Sequence, residues 1–279
     1  MKHILMPTDF SENSWNAIQY GLSMFRKTKC TFYLFTVNKI PSYTGAGSSV
    51  RSNQEKLGKN MMKESEEDLQ ELLKRIEKLA LNIKHEFVTI AKYANFVNAV
   101  RSVVENKKID LIIMGTKGAS GLKKIALGSN TGDVINKVKC PLLAVPENAK
   151  YEKAREIAFT TDFTFAYTAT MLDTLKELAT LNDATLRMLY ISKKEEKLSA
   201  EQKKNKKFLS DSLKGFEHSF HTLTNTKLAA AVQCFAESRD IDMIAMVAEN
   251  HNFFERILFK PIVEEISYHT EIPFLVLQE

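Results

Sequence analysis

Asp110-Leu-Ile-Ile-Met114, then Gly115-Thr-Lys-Gly118, then nine residues and Gly128-Ser129: on this stretch the reading of the chain turns. A short apolar run bounded by glycine reads as a buried strand emptying into a glycine loop, and the polar residues from Ser129 onward read as the start of a helix. Glycine lacks a Cβ and reaches positive φ, so its backbone amides approach an anion closely. A helix N-terminus adds unpaired N–H groups and a partial positive charge at the same point, which suits a phosphate. Five of the ten glycines of the chain, at positions 115, 118, 121, 128 and 132, fall in this one stretch.

Working outward, the chain repeats itself. Ile4-Leu-Met-Pro-Thr-Asp-Phe10 matches Ile157-Ala-Phe-Thr-Thr-Asp-Phe163 at an offset of 153, and Thr31–Asn38 matches Thr185–Ser192 at 154. Ile109–Met114 matches Ile241–Met246, and Cys140–Val145 matches Ile272–Leu277, both at 132. The second copy is therefore about 22 residues shorter between its second and fourth strands. The polar stretch Pro146–Lys153 separates the copies, giving expected domains at 1–147 and 154–279. In the first copy, strands are expected near 2–7, 31–37, 84–90, 110–115 and 141–145, and helices near 12–27, 54–81, 93–106 and 129–138. Strands alternating with helices imply an α/β fold, two tandem doubly wound domains, each a five-stranded parallel sheet flanked by helices. Ligands of such sheets sit at the carboxyl ends of strands where the strand order reverses.

Composition narrows the function classes. With 279 residues, 44% apolar and 26% charged, the chain has the makeup of an ordinary globular protein with room for two cores. Its apolar runs fall far short of the roughly 20 residues that cross a bilayer, and Met1–Pro7 is too short for a signal peptide, so a cytoplasmic protein without a membrane segment is expected. Cys30, Cys140 and Cys234 are widely spaced and form no CxxC, so they read as core residues rather than a disulfide framework or a zinc site. The net charge of +5 divides into +9 for residues 1–150 and −4 for the rest, which places the basic half with the glycine loop and suits an anionic ligand there. Nucleic acid is disfavoured, because the basic residues are interspersed with acids and lack interleaved aromatics.

The first strand ends in Pro7-Thr8-Asp9, with Ser11 placed to cap the next helix. Asp9 has two readings: a crevice carboxylate accepting from a sugar hydroxyl or an adenine amino group, or a turn carboxylate bonding its own backbone. Met6-Pro-Thr-Asp-Phe-Ser11, Gly115-x2-Gly118-x9-Gly128-Ser129 and Cys140-Pro-Leu-Leu-Ala-Val145 together resemble the universal stress protein family, and the whole chain resembles its tandem form. The resemblance implies an adenine nucleotide alpha hydrolase-like fold, ATP in the first domain and pairing of the domains through their last strands; a divalent ion such as Mg²⁺ held between the phosphates and Asp9 would allow slow hydrolysis, which nothing in the sequence demands. It places Pro7, Thr8 and Asp9 near adenine and ribose, and Val37 against the adenine. Met114 at the strand end is counted with the nucleotide-binding residues, Gly115 and Gly118 would line the ribose and phosphate path, and Gly128, Ser129 and the amide of Asn130 would hold the phosphates. Asn130 departs from the small β-branched residue common in the family, but the contact it would make is from backbone. Lys117, Lys123 and Lys124 lie beside the loop, either as phosphate ligands or, more commonly for such residues, as solvated charges.

The second copy departs from this pattern. Val247, Asn250, Lys260 and Pro261 stand where Gly115, Gly118, Gly128 and Ser129 stand in the first, and Gly215 is the one glycine beyond residue 132. Asp162 then reads as a structural turn residue. Glu249, His251 and Glu255 read as solvated loop residues rather than a metal centre. No Walker loop or nucleophile–base pair stands out, so the leading expectation is a nucleotide-responsive stress or regulatory protein without a dedicated catalytic group. The alternatives are a scaffold pseudo-dimer that binds no nucleotide and an adenylating or ATP-hydrolysing enzyme. An unidentified protein partner and a homodimer stay open, and Lys39–Ser49 is either a lid over the nucleotide or a simple connection.

Overall fold

The computed structural model describes residues 1–38, 48–79, 84–116, 128–192, 197–224, 228–248 and 271–278. In the first half these residues form β1 (Lys2–Pro7), α1 (Glu12–Met24), β2 (Cys30–Asn38), α2 (Ser48–Glu77), β3 (His85–Tyr93), α3 (Phe96–Lys107), β4 (Leu111–Gly115), α4 (Ser129–Lys137) and β5 (Leu142–Val145). The described residues of the second half follow the same order as far as the fourth strand, with β6 (Glu156–Thr161), α5 (Ala169–Asn182), β7 (Thr185–Ser192), α6 (Ala200–Ser212), β8 (His218–Thr224), α7 (Leu228–Ser238) and β9 (Met243–Val247), and end in β10 (Phe274–Leu277). Most of the length difference between the halves lies in one helix: α2 has 30 residues and α6 has 13.

All ten strands join one sheet in the order β3-β2-β1-β4-β5-β10-β9-β6-β7-β8. Each half is parallel within itself, and the halves meet antiparallel where Leu275 lies opposite Leu143 and Val276 opposite Leu142. The last strand of each half thus covers the edge that the other would expose. Parallel strands covered on both faces need apolar side chains in both directions. Alternation in β2 supplies them: Phe32 and Leu34 enter the layer with α1, α2, α5 and α6, while Tyr33 and Phe35 enter the layer with α3, α4 and α7. Helix α1 approaches the sheet closely at Gly21, where an added Cβ would fall 2.5 Å from Met6 Cε and 2.8 Å from Ile113 Cδ1.

The repeat extends to individual hydrogen bonds. Asp110 Oδ2 accepts from the amide of His3, and Asp242 Oδ2 from the amides of Arg155 and Glu156, so the same aspartate tethers the start of the central strand in each half. Between the halves, Asn16 of α1 donates to the carbonyls of Pro146 and Ala149, and the fully buried Asn182 of α5 accepts from Tyr151 and the amide of Ala154. The connection is held from both sides. Of the cysteines, Cys30 and Cys140 are buried as expected, with burial pushing the Cys140 thiol up to about 12, whereas Cys234 sits on the exposed side of α7. No helix among the described residues is long and apolar enough to cross a membrane.

Candidate functional site

In the first half the strand order reverses between β1 and β4, and their carboxyl ends bring Pro7-Thr8-Asp9 beside Met114-Gly115-Thr116. The edge is continued past the strands by the amide of Thr8, which donates to Phe35 O at 2.8 Å, and by that of Thr116, which donates to Val145 O at 3.0 Å. Pro7, Met114 and Gly115 are buried, and Val37, near the end of β2, is half-buried.

The turn after β1 is built from its own side chains. Thr8 Oγ1 accepts from the amide of Phe10 at 3.0 Å and pairs with Ser14 Oγ at 3.0 Å. Asp9 Oδ1 accepts from the amide of Ser11 at 3.1 Å and from its hydroxyl at 2.5 Å, while Ser11 Oγ in turn accepts from the amide of Ser14 to cap α1. Phe10 takes a left-handed φ of 62° to close the turn. The second reading of Asp9, a carboxylate bonding its own turn, is thus present in the structure, and the exposed position of the residue leaves it at the crevice as well. Asp162 makes the same bonds to Thr164, at 3.0 and 2.7 Å, beside Phe163 at φ 57°.

Helix α4 begins against the end of β4. Gly128 donates its amide to Thr116 O at 2.5 Å, and Thr131 donates its hydroxyl to Gly115 O at 2.8 Å. Gly128 thus has its N–H engaged by the residue that follows β4. It caps α4 without any side-chain bond, unlike Ser11, Asn95, Thr168 and Ser199 at the starts of α1, α3, α5 and α6. Ser129 and Asn130 follow, both exposed, at the positively polarised end. Gly118, Lys117, Lys123 and Lys124 lie outside the described residues, as do most of Lys39–Ser49, Asn250, Lys260 and Pro261, and Glu249, His251 and Glu255.

At the equivalent edge of the second half the space is differently used. Val247 ends β9 as a buried side chain where Gly115 ends β4. Phe163 is 1% exposed, against 37% for Phe10, because it packs on Tyr190 and Phe220 with Lys206 above it. Gln202 and Asn205 of α6 donate to the carbonyls of Asp162 and Phe163, so α6 is fastened across the turn. Sequence reasoning missed this closure: its parts come from three separate elements, and the Ser199-x-x-Gln202 capping box marks the start of α6 without showing that Gln202 also reaches Asp162.

The model of the Universal stress protein family matches residues 1–146. Universal stress protein MJ0531 of Methanocaldococcus jannaschii is 29% identical over 149 residues, 53% of this chain and 84% of that protein. Universal stress protein MJ0577 of the same organism is 27% identical over 157 residues, 52% of this chain and 94% of that protein. A solved universal stress protein from Archaeoglobus fulgidus DSM 4304 has the same fold along the whole length, with a TM-score of 0.71 at 19% identity, covering 99% of this chain and 98% of that one. With more than half of its length matched by the family and two halves of that architecture joined in one sheet, this chain belongs to the universal stress protein family and fits its tandem form.

Proposed function

We propose that the first half binds one adenine nucleotide, ATP, across the β1–β4 edge, and that the protein acts as a nucleotide-responsive stress or regulatory protein. The observation that carries this reading is the start of α4: its N-cap is a glycine with no side-chain bond to give, it is tied to the end of β4, and the Thr8–Asp9 turn lies on the adjoining strand end. A triphosphate supplies the negative charge that the first turn of α4, with no acidic residue, lacks, with the amides of Ser129 and Asn130 as donors. Pro7, Thr8, Asp9 and Val37 would hold the adenine and ribose, with Met114 and Gly115 behind them and Gly118 in the phosphate path. A divalent ion such as Mg²⁺ would meet the carboxylate of Asp9, whose Oδ1 already serves Ser11.

The second half is a degenerate domain in this reading, because Val247 and the α6-fastened Phe163 turn take the place of the open edge. Units of 1–147 and 154–279 would then share the work, the first sensing nucleotide and the second completing the sheet. Calorimetric titration of nucleotide-free protein with ATP and Mg²⁺ tests this, using Ser129→Asp as the variant. An acidic residue in the first turn favours the helix by about 0.3–1 kcal/mol, so the variant keeps its fold while its charge repels the phosphates. Binding by the wild type at one ATP per chain, lost in the variant, supports the proposal. No binding by the wild type overturns it in favour of a scaffold.

A further inference from the structure

Helices α2 and α6 occupy equivalent places in the two halves and pack on the same face of the sheet, α2 through Leu69, Leu72 and Ile76, α6 through Leu209 with Leu213 just beyond its end. One segment of each carries a charge opposite to the other's, although α2 as a whole is nearly balanced, with six basic and seven acidic side chains. On α2, residues 64–71 hold Glu64, Glu66, Glu67, Asp68 and Glu71, all exposed, and no basic residue. Glu64, Glu67 and Glu71 recur at three- and four-residue spacing on the side opposite the buried leucines, so they form one stripe. On α6, Lys203, Lys204 and Lys207 are exposed on the side opposite Leu209, and Phe208, 39% exposed, lies beside Lys204 in the same arc.

Among the described residues, the ion pairs of each stripe are with neighbours close in sequence. Lys63 reaches Glu67 at 3.7 Å, and Lys207 and Lys214 share Asp211. Such exposed pairs contribute little, and most of each stripe's field is left for a partner. An exposed phenylalanine inside a lysine arc adds an apolar contact of the kind that anchors interfaces.

We propose that the lysine–phenylalanine face of α6 docks on the glutamate stripe of α2 in a second copy of this chain. The two segments are complementary in sign, and every chain carries one of each. The seam between β5 and β10 is already filled within one chain, so it does not serve association between chains.

Sedimentation equilibrium of the full chain tests the proposal with two variants, Lys203→Glu/Lys204→Glu/Lys207→Glu and Glu64→Lys/Glu67→Lys/Glu71→Lys. All six positions are exposed, and circular dichroism checks that both variants fold. The wild type is expected to self-associate at about 50 mM salt and to weaken by about tenfold or more at about 500 mM, where surface charges are screened within a few ångström. Each variant alone should be monomeric, and an equimolar mixture of the two should regain association, since the reversed faces again match. A wild type that stays monomeric at low salt, or a mixture that fails to associate, overturns the proposal. Lysine-dependent binding to anionic vesicles by a monomeric wild type would also overturn it, assigning the α6 face to a membrane surface.

Discussion

At the level of single residues, twin positions in the two halves separate structural work from ligand work. Asp9 and Asp162 make the same bonds to the hydroxyl and amide two residues on, so the loss of those bonds is a stability effect common to both. Asp9→Asn is expected to weaken ATP binding by about tenfold in titration, the effect of about 1.4 kcal/mol of lost interaction, whereas Asp162→Asn leaves it unchanged. Equal effects from the two variants would remove Asp9 from the site. His221 gives a pH prediction. Burial holds its pKa below the ordinary value, with Arg239 and Arg187 adding to the effect, while Ser219 Oγ lies 2.8 Å from its Nε2. The unfolded chain then binds the proton more tightly than the folded one. This stabilisation is present above the unfolded pKa, about 6.5, and is lost as pH falls through the folded value. Urea midpoints measured downward from neutral pH should fall less steeply in His221→Gln than in the wild type. The sequence exposed the repeat of these residues because identity and spacing survive in it; it did not expose the burial of Phe163, which depends on Tyr190, Phe220 and α6 arriving from elsewhere.

Elements show where local signals sufficed. Ser11 before Glu12 predicted the start of α1, and the apolar runs of β1, β4 and β5 predicted strands that the structure contains almost residue for residue. The boundaries that moved have physical reasons. Strand β3 continues to Tyr93, three residues past the expected end, because Asn38 at the end of β2 still pairs with it, and α3 starts only after Asn95 caps it. Helix α2 begins earlier than the leucine periodicity suggested, since its first turns carry few leucines to mark them. Close packing between elements is invisible to periodicity, and Gly21 is the example. Gly21→Val would drive its side chain into Met6 and Ile113, both nearly or wholly buried, and should cost about 1–3 kcal/mol of overpacking in denaturant unfolding. An unchanged midpoint would mean that α1 stands off the sheet more than the structure has it.

For the whole molecule, the governing feature is that two matching halves share one sheet. Leu275 and Leu143 face each other across the seam, both fully buried, so a change on one side should be felt on the other. Trp15, the sole tryptophan of the chain, lies in the first half and reports on it alone. Leu275→Ala, in the second half, removes about 2–5 kcal/mol of packing, and the midpoint reported by Trp15 fluorescence should shift with it. A Trp15 midpoint that ignores the substitution would show that the halves unfold separately. The proposed asymmetry of function would follow from the same arrangement: a strand edge beside an α4 with a glycine N-cap in one half, and a turn fastened by α6 in the other. Hydrogen exchange with and without ATP measures that asymmetry directly. The account predicts slowed exchange at Thr8, Ser129 and Asn130, with no change at Ala248 in the second half. Equal protection of both halves, or none in either, would contradict it.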